Sequence, residues 1–115
     1  MSTVADISLD WEDDALVAHL RGEVDMTNAS FVREELTSAV GNETRTLVLD
    51  LAETRYLDSA AIEVIFELSR RLSRRRQGLA LVVPQESPLR RLLTVCDVET
   101  VAPMHESLAH ALGSA

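Results

Sequence analysis

Asp58 and Ser59 are the residues whose types and spacing first invite chemistry. In RYLDSAAIEVIFEL, residues 55–68, a strand-like run ends in one acid and one hydroxyl, and a strongly apolar segment begins at once. Two roles fit. Asp and Ser are preferred helix N-caps, where a side-chain oxygen accepts a free backbone N–H, and such a cap contributes about 1 kcal/mol relative to Ala. A hydroxyl at a strand-to-helix turn also stands at the C-terminal edge of a sheet, beside a helix terminus whose dipole tolerates a phosphate. Phosphate there would add about two negative charges near Asp58 and Glu63, changing what the surface binds while leaving the fold intact. The two roles are compatible. A nucleophilic Ser59 would need a positioned base, and no His stands near it in the chain. His19, His105 and His110 do not form a metal set: the last two are five residues apart, and there is no second Cys. G-x-S-x-G, P-loop and dinucleotide motifs are absent, so neither an enzyme nor a cofactor is expected.

Periodicity supplies the surrounding elements. A short edge strand is expected over residues 7–9, and a strand over 15–22, with Leu16, Ala18 and Leu20 on one face and Val17, His19 and Arg21 on the other. Gly22 ends it, and EVDMTNAS follows as a loop. A helix over 28–40 carries Phe31, Val32, Leu36, Ala39 and Val40 as its apolar stripe, with Gly41-Asn42 as the stop. Residues 46–52 form the clearest strand; Val48 is apolar as well as Leu47, Leu49 and Leu51, as in a central strand. The spacing predicts a helix over 59–75, with Ala61, Ile65, Leu68 and Leu72 as the core stripe, Ile62 beside it, and Gln77-Gly78 as the stop. A buried strand over 79–83 ends at Pro84. Ser87 and Pro88 open a helix; a last strand is expected over 100–102 and a last helix over 105–112. The order is ββαβαβαβα, which implies an α/β domain with a mixed or parallel sheet.

Bulk properties narrow the function classes. At 115 residues, 46% hydrophobic and 26% charged, the chain is expected to form one domain with an ordinary core. The net charge of −8 argues against nucleic acid, which needs a basic face. Cys96 is alone, the first ten residues lack the pattern of a secretory leader, and no apolar run approaches the ~20 residues that span a bilayer; a cytoplasmic protein without membrane insertion is expected. Two further features stand out. Phe66 lies about 110° from the core stripe and is expected to be half buried against a neighbouring helix or loop, the alternative being a partner-facing role with Val64. RRLSRRR, residues 70–76, suits a helix C-terminus, with Glu67 spaced to pair with Arg71; the alternatives are an anionic lipid, a phosphate or the acidic face of another copy, and Arg70-Arg71 also precede Ser73 as some basophilic kinases require.

LVLDLAETRYLDSAAIEVI resembles the core motif of STAS domains, specifically bacterial anti-sigma factor antagonists, in which an apolar strand leads to D-S-S-G-L or a variant and then an apolar helix. LRGEVDMTNAS resembles the family's G-E-L-D loop, and SPLRRLLTVCDVETV its S-P-x-V-x-R-L-L-x-x-x-G-L segment, so the resemblance covers about residues 10–112 of a single 1–115 STAS domain. It implies a mixed, mostly parallel sheet of four to five strands with about four helices packed mainly on one face. It also implies binding to an anti-sigma factor that is a serine kinase, releasing a sigma factor. The kinase phosphorylates the serine after the motif Asp, here Ser59, and a Ser/Thr phosphatase restores it. Partner contacts carried over by position are Gly22, Glu23, Asp25, Met26, Thr27, Asn28, Asp58, Ser59, Ala60 and Glu63. Ala60 and Ala61 replace the usual Ser/Thr and Gly. The Ala61 methyl either alters the partner's fit or favours the helix by roughly 1 kcal/mol. Cys96-Asp97-Val98 replaces Ser-Gly-Leu, so that turn is expected to differ. Other STAS domains are constitutive subunits of phospholipid-transport complexes on an ABC ATPase, or small partners in stress-sensing assemblies. The oligomeric state is expected to be a monomer or weak dimer.

Overall fold

The computed structural model describes residues 5–113; the first four residues, on which the leader reading bears, lie outside them. Strand β1 (Asp6–Glu12) turns back at Asp13-Asp14, with Asp13 at φ 57°, and pairs antiparallel with β2 (Ala15–Val24). β2 pairs parallel with β3 (Thr46–Asp50), β3 with β5 (Gly78–Val82), and β5 with β6 (Met104–His105). The sheet thus runs β1-β2-β3-β5-β6, with β4 (Thr54–Leu57) attached to β2 alone. β1 is a free border; its Leu9 and Trp11 remain exposed, and Asp6, Asp10 and Glu12 alternate with them.

Alternation along the strands divides the core in two. Leu16, Ala18, Leu20, Leu47, Leu49 and Leu81 face helices α1 (Ala29–Ala39), α2 (Ser59–Arg74) and α3 (Arg90–Val95). Val17, Val48, Ala80 and Val82 face α4 (Leu108–Gly113) on the opposite side. The mixed, mostly parallel sheet with helices mainly on one face is therefore the architecture observed, with six strands among the described residues where four to five were expected, because β4 joins at the end of β2. Apolar residues on both faces of β3 and β5 follow from cover on both sides.

β2 changes partner midway. Its first half pairs with β3, its last three residues with β4, and a bulge lies between Gly22 and Glu23. Gly22 sits at φ 94°, outside the range that L side chains adopt readily, and its N–H donates to the Glu53 carbonyl at 3.1 Å. Gly22 therefore redirects the strand rather than ending it, and Glu23 and Val24 belong to β2, not to the loop expected there. Thr54, 3% exposed, donates its hydroxyl to the Leu20 carbonyl and pins β4 in place.

Other expectations shift for identifiable reasons. Phe31 is 52% exposed: it lies one residue, about 100° of helix, from the buried Val32, and the inward stripe of α1 is Ala29, Val32 and Leu36. The strand expected over 100–102 is not formed: residues 98–100 make a 3-10 turn, Val98 and Ala102 are drawn fully into the core, and sheet pairing resumes where Leu81 N–H meets the Pro103 carbonyl, just before β6. The last helix begins at Leu108, after Ser107, whose Oγ accepts the His110 N–H at 3.1 Å. Ser87 Oγ accepts the Leu89 N–H, so α3 starts at Arg90, later than Pro88 suggests. Asp97 holds the left-handed conformation (φ 59°) that glycine usually serves after a helix, so its replacement of Gly keeps such a turn. α2 ends in a Schellman motif: Gln77 N–H reaches the Leu72 carbonyl, Arg76 N–H the Ser73 carbonyl, and Arg76 is left-handed at φ 60°.

A Cβ at position 22 forces the bulge out of its geometry. Gly22→Ala is expected to lower unfolding free energy by about 1–2 kcal/mol in urea titration, with the loss centred on β2–β4 amide protection in hydrogen exchange.

Candidate functional site

The β2–β4 pairing sets two strand-to-helix turns side by side: residues 25–28, leading into α1, and Asp58, leading into α2. Both lie at the C-terminal ends of parallel strands, where open α/β sheets place their binding surfaces. Asp58 connects them. Its Oδ1 accepts the Ala61 N–H at 3.0 Å, capping α2, and its Oδ2 accepts the Met26 N–H at 3.0 Å, holding the neighbouring loop. Its own N–H donates to the Val24 carbonyl at 3.2 Å.

The 25–28 loop is closed by its own side chains. Asp25 Oδ1 accepts from the Thr27 N–H (2.9 Å) and hydroxyl (2.5 Å). Asn28 Oδ1 accepts the Asp25 N–H at 3.0 Å, while its Nδ2 donates to the Glu23 carbonyl at 3.0 Å. The Thr27 hydroxyl and N–H hold the Asp25 carboxyl below the usual aspartate range, with a smaller contribution from the Asn28 N–H and burial opposing the shift. The sequence-predicted residues therefore separate by role. Met26 (79% exposed), Thr27, Ser59 and Glu63 point outward. Asp25, Asn28 and Asp58 brace the surface from within. Gly22 shapes the strand, half-buried Glu23 pairs with Tyr56 across β2–β4, and Ala60 packs against the core. Ala61 is 3% exposed, so its methyl belongs to the core and not to a docking face.

Ser59 is the first residue of α2 and is exposed; with Asp58 serving as the cap, its hydroxyl makes no hydrogen bond among the described residues. The histidines stand elsewhere: His19 bridges Asp50 (2.7 Å) and Asp10 (3.1 Å), and the rings of His105 and His110 are 6.5 Å apart. Among the described residues no three His, Cys, Asp or Glu side chains are grouped for a metal, and no helix is long and apolar enough to cross a membrane.

Sequence reasoning missed a groove of about 810 Å³ that begins at Ser59 and runs between α2 and α3. Tyr56, Ile62, Phe66, Leu92 and Cys96 line it. Phe66 is half buried, as its wheel position suggests, whereas Val64 is buried at 5% exposure and has no partner-facing surface. The i, i+4 spacing of Leu92 and Cys96 was a legible signal for the far wall.

The STAS domain family model matches residues 6–111, and the chain belongs to that family. The chain is 28% identical over 101 residues to BtrV of Bordetella bronchiseptica, spanning 88% of this chain and 86% of that protein. It is 25% identical over 116 residues to the anti-sigma-F factor antagonist RsfA of Mycobacterium tuberculosis, spanning 99% and 90%. Among solved structures, an anti-sigma factor antagonist from Mycobacterium paratuberculosis superposes with a TM-score of 0.85 at 20% identity, covering 96% of this chain and 93% of that one. Phosphorylated SpoIIAA of Bacillus gives a TM-score of 0.67 at 16% identity, covering 95% and 98%. At these identities the structural likeness concerns the fold.

Asp58→Ala removes both clasps at once. It is expected to cost about 1–2 kcal/mol in denaturant unfolding and to broaden or shift the Met26 and Ala61 amide resonances together. For Asp25, the folded value lies below the unfolded one. Its contribution is therefore complete above the unfolded value and is lost as pH falls through the folded one. The Thr27 amide shift is expected to stay constant down to the ordinary aspartate range and to move only below it.

Proposed function

We propose that this chain is an anti-sigma factor antagonist. Its docking surface joins the 25–28 loop to the first turns of α2, and reversible phosphorylation of Ser59 gates it. The observation that carries the reading is the division of labour at the turn: Asp58 caps α2, and the adjacent Ser59 is exposed, its hydroxyl without a hydrogen bond among the described residues. An anti-sigma factor with serine kinase activity can reach that oxygen, and a Ser/Thr phosphatase can reach its phosphate. Binding to the unmodified face displaces the sigma factor.

Simple electrostatics supplies the gate. A phosphate carries about −1.5 to −2 at neutral pH and would stand beside Asp58 and Glu63. Within the chain, the positive end of α2 offsets part of that charge. A docked partner must desolvate the phosphate or oppose it, so the modification acts on the complex and leaves the fold in place. The fold likeness to a SpoIIAA structure in its phosphorylated form supports the view that this scaffold accommodates the group. Met26 and the Ser59 groove supply apolar contact area on either side of the modified position.

Incubation with the cognate kinase and ATP, followed by peptide mass spectrometry, is expected to label Ser59; label elsewhere, or none, rejects the gate. In binding measurements Ser59→Ala is expected to retain affinity and Ser59→Glu to lose about tenfold or more, roughly 1.4 kcal/mol. Equal affinities would show that charge at this position does not control docking.

A further inference from the structure

The far end of α2 carries a cluster of arginines, remote from Ser59. Five of the chain's eleven arginines fall between residues 70 and 76, in a protein of net charge −8. The Glu67–Arg71 pair that helical spacing suggests is not formed: Glu67 instead approaches Arg33 of α1 at 3.9 Å. Arg70, Arg71, Arg74 and Arg76 have no carboxylate partner among the described residues, and Arg75 donates to the Asn42 side-chain carbonyl at 3.0 Å. A helix C-terminus welcomes cations, but that preference leaves these guanidinium groups without counter-charges.

Arg70, Ser73 and Arg74 share one face of α2 at i, i+3 and i+4, and with Thr100 and Val101 they line an open cavity of about 470 Å³. Ser69 Oγ donates to the Val101 carbonyl at 2.9 Å, which fixes the opposite wall against the helix. The Thr100 hydroxyl proton is committed to the Asp97 carbonyl at 2.7 Å. The Ser73 hydroxyl has no partner among the described residues, so the available donors are two guanidinium forks and one hydroxyl. Five of the six residues that line it, all but Val101, carry polar side chains. Glu67, Asp97 and Glu99 are the carboxylates closest in sequence to the lining residues, and none forms an ion pair with Arg70 or Arg74 among the described residues.

The geometry points to a phosphate-binding site formed by Arg70, Ser73 and Arg74, whose ligand is a phosphate monoester or free phosphate. Paired guanidinium forks match tetrahedral oxyanions, and a hydroxyl donor on the same side of the helix adds a third contact. The site lies roughly 20 Å along α2 from Ser59 at 1.5 Å per residue, so it can be occupied while the opposite end is docked.

Amide NMR titration with inorganic phosphate, against sodium chloride at matched ionic strength, tests the site. Saturable shifts are expected at residues 69–76 and 98–101 in phosphate only. They are expected to disappear in Arg70→Gln/Arg74→Gln and to persist in Arg91→Gln, an exposed arginine on α3. Ser73→Ala is expected to weaken binding roughly two- to tenfold. Equal response to chloride, a wild-type response in the double variant, or saturable shifts centred on the opposite end of α2 would overturn the assignment. Sedimentation with phosphatidylcholine vesicles, with and without phosphatidic acid, identifies the source. Pelleting only with phosphatidic acid, lost in the double variant, supports the site with a lipid headgroup as ligand; saturable phosphate binding without pelleting supports it with a soluble phosphate.

Discussion

One carboxylate holds the functional end of this molecule together. Asp58 sends one oxygen to the first turn of α2 and the other to the backbone of the 25–28 loop. Each bond alone is ordinary. Together they fix the spacing between two segments 32 residues apart in the chain and relieve the neighbouring serine of any structural duty. That freedom separates the chemistry of Ser59 from the stability of the helix it begins.

The carboxylate can act in this way only because β2 has been turned. β2 leaves β3 after His19 and from Gly22 onward pairs with β4, with a register shift between Gly22 and Glu23. The left-handed glycine and the buried Thr54 hydroxyl place β4 beside the end of β2, bringing Asp58 within reach of Met26. A backbone irregularity in the sheet thus determines the layout of a surface formed largely by helix ends and loops.

Much of this was legible in the chain. The start of α2 and its inward stripe follow from a cap residue and a strong 3.6-residue period, and β3 follows from its unbroken run of apolar residues. The strand-like run before Asp58 stayed out of the element order because the two central residues of β4, Arg55 and Tyr56, are both exposed and show no alternation; the strand exists through its partner, not its pattern. Phe31 looked like core because hydrophobicity identifies a residue suited to burial but not the neighbour that would bury it. The groove between α2 and α3 was invisible for the same reason, since it arises from the packing of two helices. The turn after α2 broke a local rule: the sequence pointed to Gln77-Gly78 as the stop, yet Arg76 takes the left-handed position before it.

The outer border of the sheet has its own consequence. Among the described residues β1 has a strand partner on one side only, with Leu9 and Trp11 exposed along it. Such a margin is adhesive by nature. Here Asp6, Asp10 and Glu12 alternate with the apolar residues, so two molecules meeting edge to edge would oppose acid with acid. The strand most open to fibril-like growth thus carries like charges that oppose it, and a crowded population of these molecules has an electrostatic reason to stay dispersed.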